Sequence, residues 1–429
     1  MSRLNNIFER IDGYREEVIR LQTELTSRVA LGPANGGTGE HEKAKYVKTA
    51  LRELNPDVLE EIKAPDSRVP DGYRPNLIAK WGEGLKAPAV WVLSHLDIVP
   101  PGDLSLWNAD PYTVKTEGDR VIGRGVEDNQ HGFVSSYLAL KGILDSREAL
   151  SRPVGLAVVA DEETGSEFGL QYLLQHRKDL FGKQDLIIVP DAGNEDGTMI
   201  EIAEKSMLWL QFTILGRQCH ASTPHKGKNS LVGAARLILA LQELDKLFPH
   251  SDSLFSPSTS TFSPTKMEPN VPNINTIPGK AVFSLDCRIL PRYETEEVLS
   301  ACRDIAGGIA SELDLEIKLD TIQRQEAPEP TPVDSPVVLA LKRAIRGVTG
   351  REGTPMGIGG GTVAAFFRKY GLPAAVWSTC ADTAHQPNES SRIPDILTDA
   401  KILAALYLDE EKEKQQESVA GRGKGGLPG

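Results

Sequence analysis

Leu4, Ile7, Phe8, Ile11, Tyr14, Val18, Leu21 and Leu25 recur at steps of three and four, a spacing that predicts one amphipathic helix across the first segment. A second helix is expected over residues 41–54. From there to about residue 204 the pattern changes to short apolar runs at 89–93, 154–160 and 186–189, with a helical stretch at 133–144 between the first two. That alternation predicts parallel strands joined by helical crossovers. Between about residues 205 and 322 the order becomes a strand (208–215), a helix (231–247), strands near 258–264 and 280–289, a helix (294–311) and a strand (315–322). This is the pattern of an α+β unit with an antiparallel sheet and two helices, inserted into the first domain. Pro328, Pro330, Pro332 and Pro336 mark the return linker, after which helices at 336–348 and 362–370, a strand at 374–377 and a helix at 394–408 resume the alternation. The expected fold class is therefore α/β with a mostly parallel central sheet plus an inserted α+β domain. The expected boundaries are 1–204 with 326–409, then 205–325, and a charged, Gly-rich tail at 410–429 that reads as disordered.

Composition narrows the functional classes. Of 429 residues, 40% are apolar and 25% charged, enough apolar material for a large core. The formal net charge of −12 argues against a polyanion partner, so nucleic acid is not expected. The apolar runs at 89–93 and 156–160 fall well short of the ~20 residues of a bilayer span, and no membrane partner is expected. Glu9, Asp12, Glu16 and Glu17 near the start do not resemble an export signal, which points to a cytoplasmic protein. Cys219, Cys287, Cys302 and Cys380 are far apart and form no CxxC pair, so a metal in this chain must be held by nitrogen and oxygen.

In open α/β sheets ligands bind beyond the carboxyl ends of the strands. Four apolar runs end in metal-ligand side chains: His95 and Asp97 in SHLD, Asp161, Glu162 and Glu163 in DEETGS, Asp191 in DAG, and His385 in the loop ending AHQPNES. Asp128 in GRGVEDN joins them from a Gly-punctuated loop. An acid in such a place is commonly the cap of the next helix, the role expected for Asp161 alone. Two histidines and at least three carboxylates at one sheet edge are a different matter, because crowded acids repel unless protonated or bound to cations. Divalent metal, and two ions rather than one, is the economical reading.

The series SHLD, GRGVED, DEETGS, DAG and AHQPNES, in this order and spacing, resembles the acetylornithine deacetylase / succinyl-diaminopimelate desuccinylase family of dinuclear zinc hydrolases, which also includes aminoacylases, dipeptidases and carboxypeptidases. The resemblance covers nearly the whole chain. It implies a zinc-exopeptidase-like catalytic domain and an inserted dimerisation or lid domain. It further implies that His95 and Asp191 hold one metal, that Glu163 and His385 hold the other, and that Asp128 bridges them. Asp97 would orient His95, and Glu162 would be the general base, since a carboxylate already bound to metal is a poor proton acceptor. Zinc is the expected metal, with cobalt or manganese as alternatives.

In the inserted segment His220 matches a family histidine that reaches the partner subunit's active site and stabilises an oxyanion, which implies a homodimer through this domain. The period-two alternation of 283–289 puts Ser284, Asp286 and Arg288 on one strand face. Arg288 could pair with Asp286 or, as the resemblance implies, fork onto a substrate carboxylate. Asn275, and Gly360 and Thr362 in the turn GIGGGT, are further substrate-contact candidates. The chain departs from the family where Asn129, Gln130 and His131 follow Asp128 in place of a Lys-containing motif. It also has Asp191 where desuccinylases generally use Glu. The expectation is an amidohydrolase acting on a small carboxylate-bearing substrate such as an N-acyl amino acid. A dipeptidase or carboxypeptidase is the alternative within the family, and a non-catalytic metal-binding assembly protein the alternative outside it.

Overall fold

The computed structural model describes residues 3–408, so the expectation for the tail at 410–429 lies outside the described residues. The chain forms two compact units: residues up to 202 with 331–355 and 366 onward, and residues 203–330 with 356–365.

The first unit is built on a mixed sheet. Its strand order is Val58–Pro65, Tyr73–Trp81, Val154–Val159, Val90–His95, Leu186–Val189, Ala374–Val376, Met199–Glu204 and Thr354–Ile358. Val90–His95 runs parallel to Val154–Val159 and to Leu186–Val189, which in turn runs parallel to Ala374–Val376. These four strands are fully buried, consistent with β-branched runs covered on both faces. The flanks are antiparallel around this parallel centre, in keeping with a sheet expected to be mostly parallel. Tyr73–Trp81 opposes both of its neighbours, and Val376 pairs antiparallel with Glu201. The first two strands escape the hydrophobic pattern for identifiable reasons. Val58–Pro65 carries Glu60, Glu61 and Lys63 as an edge strand does. Tyr73–Trp81 is interrupted by Arg74 and Asn76, polar residues that folding nonetheless buries.

The expected N-terminal helix is two helices, Arg3–Asp12 and Arg15–Thr26, divided at Gly13, a poor helix-interior residue. The apolar stripe survives the break: Ile7, Ile11, Val18, Leu21 and Leu25 are all buried. Helix Gln130–Asp145 packs against Ile393–Leu408, and both contact the N-terminal helices.

The second unit has a four-stranded antiparallel sheet in the order Thr261–Met267, Lys280–Ile289, Ser206–Leu215, Glu316–Gln325. Helices Ser230–Ala240 and Thr295–Leu313 supply the other half of its core. Strict alternation puts Leu208, Leu210, Phe212 and Ile214 inward, where Phe212 stacks on Phe283 at 4.9 Å. Gly360 and Thr362 belong to this unit. Gly357 N donates to Leu254 O at 2.7 Å, and Thr362 N to Glu204 Oε1 at 3.0 Å.

Candidate metal centre

The first unit gathers its acids and histidines at the carboxyl ends of the parallel strands. His95 is the last residue of its strand; Glu162 and Glu163 follow Val154–Val159 in a short 3-10 turn; Asp191 lies two residues beyond Leu186–Val189. His385 is reached through the loop after Ala374–Val376 and has φ +62°, a backbone region that non-glycine residues occupy rarely and often at functional sites.

Two overlapping groups result, His95 with Asp128 and Asp191, and Asp128 with Glu163 and His385. His95 Nε2 stands 2.8 Å from Asp128 Oδ1 and 3.4 Å from Asp191 Oδ1. His385 Nε2 stands 3.0 Å from Asp128 Oδ2 and 3.2 Å from Glu163 Oε2. Asp128 therefore belongs to both groups, one carboxylate oxygen to each. The halves differ in exposure: the His95 side chain is 2% exposed and that of His385 53%.

The electrostatics are those of a site short of cations. Burial alone would lower the His95 pKa, yet contacts with Asp128, Asp191 and Asp97 hold it well above the ordinary value. Hydrogen bonds with Asp128 and Glu163 push His385 up to about 10. Burial, then the charge of Asp191, raises Glu162 well above the usual carboxylate range, and burial also raises Glu163. Burial acts against the Asp128 carboxylate, but its two histidine partners prevail and hold its pKa down. Glu163 Oε1 is buried without a hydrogen-bond partner. Such a nitrogen-and-oxygen donor set, with an orphaned carboxylate oxygen and one shared acid, fits divalent metal ions.

Asp97 contacts both His95 and the glutamate turn. The backbone oxygen of Asp97 lies 3.0 Å from His95 Nδ1, whereas its carboxylate is 3.5 Å away. The carboxylate accepts from the backbone N–H groups of Glu162 and Glu163, each at 3.0 Å, and so holds the turn bearing the two glutamates. Accepting a hydrogen bond from Nδ1–H, the Asp97 carbonyl leaves Nε2 free to bind metal. Asp161, expected as a cap, stands at the N-cap position of the 3-10 turn but makes no side-chain cap bond there. It has φ +63°, accepts from Phe168 N at 3.1 Å and from the Thr164 hydroxyl, and lies 3.3 Å from Arg74 Nη1, a guanidinium buried against Glu40.

Several supporting residues were not among the sequence candidates. Asn129 Nδ2 donates to Asp191 Oδ1 at 2.8 Å. His131 is buried between Ser391 Oγ at 2.7 Å and Asp399 Oδ2 at 2.9 Å. Glu127 and Glu389 bind backbone amides of the Asp128 and His385 loops; their only sequence signal is adjacency, one inside GRGVED and the other inside AHQPNES. Lys43 is buried, and burial lowers its pKa to about 8 against the opposing charges of Asp97, Glu40, Glu389 and Glu163.

The remaining candidates lie in the second unit. His220 pairs with Thr276 in a two-stranded ribbon, and Ala221 N donates to Asn275 O at 2.8 Å. Ser222 N donates to His220 Nδ1 at 3.1 Å, so the neutral ring carries its proton on Nε2. The Asn275 side chain accepts from Asn273 Nδ2 at 2.6 Å. Arg288 forks onto Asp286, with bonds of 2.9 and 3.2 Å, and donates to Gly359 O at 3.0 Å. Thr362 binds Glu204 through both its amide and its hydroxyl.

A model of peptidase family M20/M25/M40 matches residues 91–409. The chain belongs to this family. An uncharacterized metallohydrolase of Methanococcus maripaludis is 40% identical over 416 residues, covering 92% of this chain and 98% of the relative. A succinyl-diaminopimelate desuccinylase of Dinoroseobacter shibae is 29% identical over 327 residues, 75% of this chain and 83% of that protein. Among solved structures, human carnosine dipeptidase 1 superposes with a TM-score of 0.73 at 18% identity, covering 95% of this chain and 99% of the other. This M20 member is accordingly a metallohydrolase acting on amide or peptide bonds. Among the described residues no helix is long and apolar enough to cross a membrane.

Proposed function

We propose that the protein is a dinuclear zinc amidohydrolase that cleaves the amide of an N-acyl amino acid or a similar small substrate with a free carboxylate. The observation that carries this reading is the division of Asp128, whose Oδ1 faces His95 at 2.8 Å while its Oδ2 faces His385 at 3.0 Å. A carboxylate so divided suits a bridge between two ions, with His95 and Asp191 completing one ligand set and Glu163 and His385 the other. Two divalent ions there, zinc first and cobalt or manganese as alternatives, would polarise a scissile carbonyl and acidify a water.

The chain's own groups do the rest. Glu162 belongs to neither ligand group, and its Oε2 lies 4.0 Å from His95 Nε2, so it is free to take a proton from the attacking water and return it to the leaving amine. Asp97 keeps Glu162 and Glu163 in their separate tasks by binding both of their amides. His220 offers an Nε2–H to the oxyanion, from a second copy in a homodimer joined through the second unit. Arg288 receives the substrate carboxylate by exchanging it for Asp286, with Asn275, Gly360 and Thr362 as further contacts. A peptide bond presents the same carbonyl and amine, so a dipeptidase or carboxypeptidase uses these roles unchanged.

The test is amine release from a panel of N-acetyl and N-succinyl amino acids and dipeptides, after chelator treatment and after return of zinc, cobalt or manganese. Release that depends on added metal and favours acyl amino acids is expected. Metal-independent release would sink the metal centre, and exclusive cleavage of dipeptides would replace the acyl substrate.

A further inference from the structure

The two loops that carry Asp128 and His385 hold each other through a pair of buried glutamates. Glu389, four residues beyond His385, accepts three backbone amides of the Asp128 loop. Its Oε1 takes Glu127 N at 2.9 Å and Asp128 N at 3.0 Å, and its Oε2 takes Gly125 N at 3.0 Å together with Arg124 Nη1 at 2.6 Å. Glu127, the residue before Asp128, returns the arrangement. Its Oε1 takes Thr383 N at 2.6 Å and Ala384 N at 2.9 Å, and its Oε2 takes Ala381 N at 2.8 Å. Glu389 is completely buried and Glu127 is 6% exposed. Backbone amides converging on a carboxylate stabilise its charge where water cannot. A buried acid held this way is costly to disturb, because losing one acceptor strands several N–H donors at once.

We propose that Glu127 and Glu389 form a reciprocal clasp that sets the spacing between Asp128 and His385 before any ion arrives. Both are positioning residues: neither belongs to a ligand group, and each holds the loop on which the other's neighbouring ligand sits. The effect on metal binding rests on the reading above that Asp128 and His385 are ligands; the clasp itself does not. Because each carboxylate grips the opposite loop, removing either one releases both ligands from their common frame. A one-sided anchor would free only the loop whose amides it binds.

The experiment uses the full chain stripped of metal with a chelator. Amide hydrogen exchange is followed at 123–128 and 381–385 in E127Q, E389Q and the double variant, and zinc affinity is measured by competition with a chromophoric chelator. Gln keeps the shape but turns an NH2 toward amides that need an acceptor. Faster exchange is expected in both segments in either single variant, including Gly125, Glu127 and Asp128 amides in E127Q, whose own acceptor on Glu389 is untouched. Zinc affinity should fall about 10–100-fold in each single variant, as for other groups that orient ligands, with little further loss in the double variant. Exchange rising only in the segment whose acceptor was removed, or losses that add in the double variant, would overturn the clasp. Should E127Q fail to fold, E127D carries the same comparison, since it keeps the charge but withdraws it by one methylene. A parental protein that binds no zinc would sink the ligand reading instead, and the exchange result would still decide the clasp.

Discussion

The two units hold their candidate residues in opposite electrostatic states. In the first, His95, Asp128, Glu162, Glu163, Asp191 and His385 crowd together, with histidine pKa values driven up, two glutamates driven up by burial, and one carboxylate oxygen left unpartnered. In the second, Arg288 has Asp286, Thr362 has Glu204, and His220 Nδ1 has Ser222. The first arrangement demands cations; the second is satisfied as it stands. Concentrated, unmatched charge is thus the stronger mark of chemistry, while a satisfied polar group must exchange a partner before it can bind anything.

Three substitutions would break or sharpen that contrast. The largest effect belongs to Glu162→Ala, expected to lower kcat by about 10²–10⁴ through loss of proton transfer while zinc content, measured by mass spectrometry of the metal, stays at the parental level. Parental turnover in that variant would remove Glu162 as the base. Next comes His220→Ala, for which a fall of roughly 10²–10³ in kcat with unchanged zinc content matches the loss of one oxyanion donor. A variant that also loses zinc would place His220 with the ligands and dissolve the distinction between the units. Smallest is Arg288→Lys, expected to raise KM about tenfold, or ~1.4 kcal/mol, with kcat unchanged, since lysine cannot make the planar fork. Unaltered KM would leave Arg288 as the partner of Asp286 and nothing more.

The strand ends were legible because His95, Glu162, Glu163 and Asp191 each end or follow a buried apolar run, and the direction of a parallel strand decides which end presents its loops. The antiparallel flanks were not, since Glu60, Glu61, Arg74 and Asn76 are tolerated in strands only through neighbours distant in the chain, such as Glu40 on Arg74 and the Phe168 carbonyl on Asn76. Asp97 shows the same limit at the site. Its position two residues from His95 suggested an imidazole partner, a place its carbonyl takes at 3.0 Å, while the carboxylate, 3.5 Å from the ring, binds the Glu162–Glu163 turn. Spacing along the chain cannot tell a carbonyl acceptor from a carboxylate acceptor on the same residue.

Residue order alone determined the α/β class, the inserted α+β segment and the five motifs that identify the family, because hydrophobic period and motif spacing are local properties of the chain. Tertiary structure alone decided that Asp128 divides its oxygens between two histidines, that Asp97 and Asp161 brace the glutamate turn, and that Glu127 and Glu389 cross-link two loops some 260 residues apart. Those contacts depend on which backbone amides and side chains meet after folding, and a carboxylate's choice among several nearby donors is made by distance and burial in space.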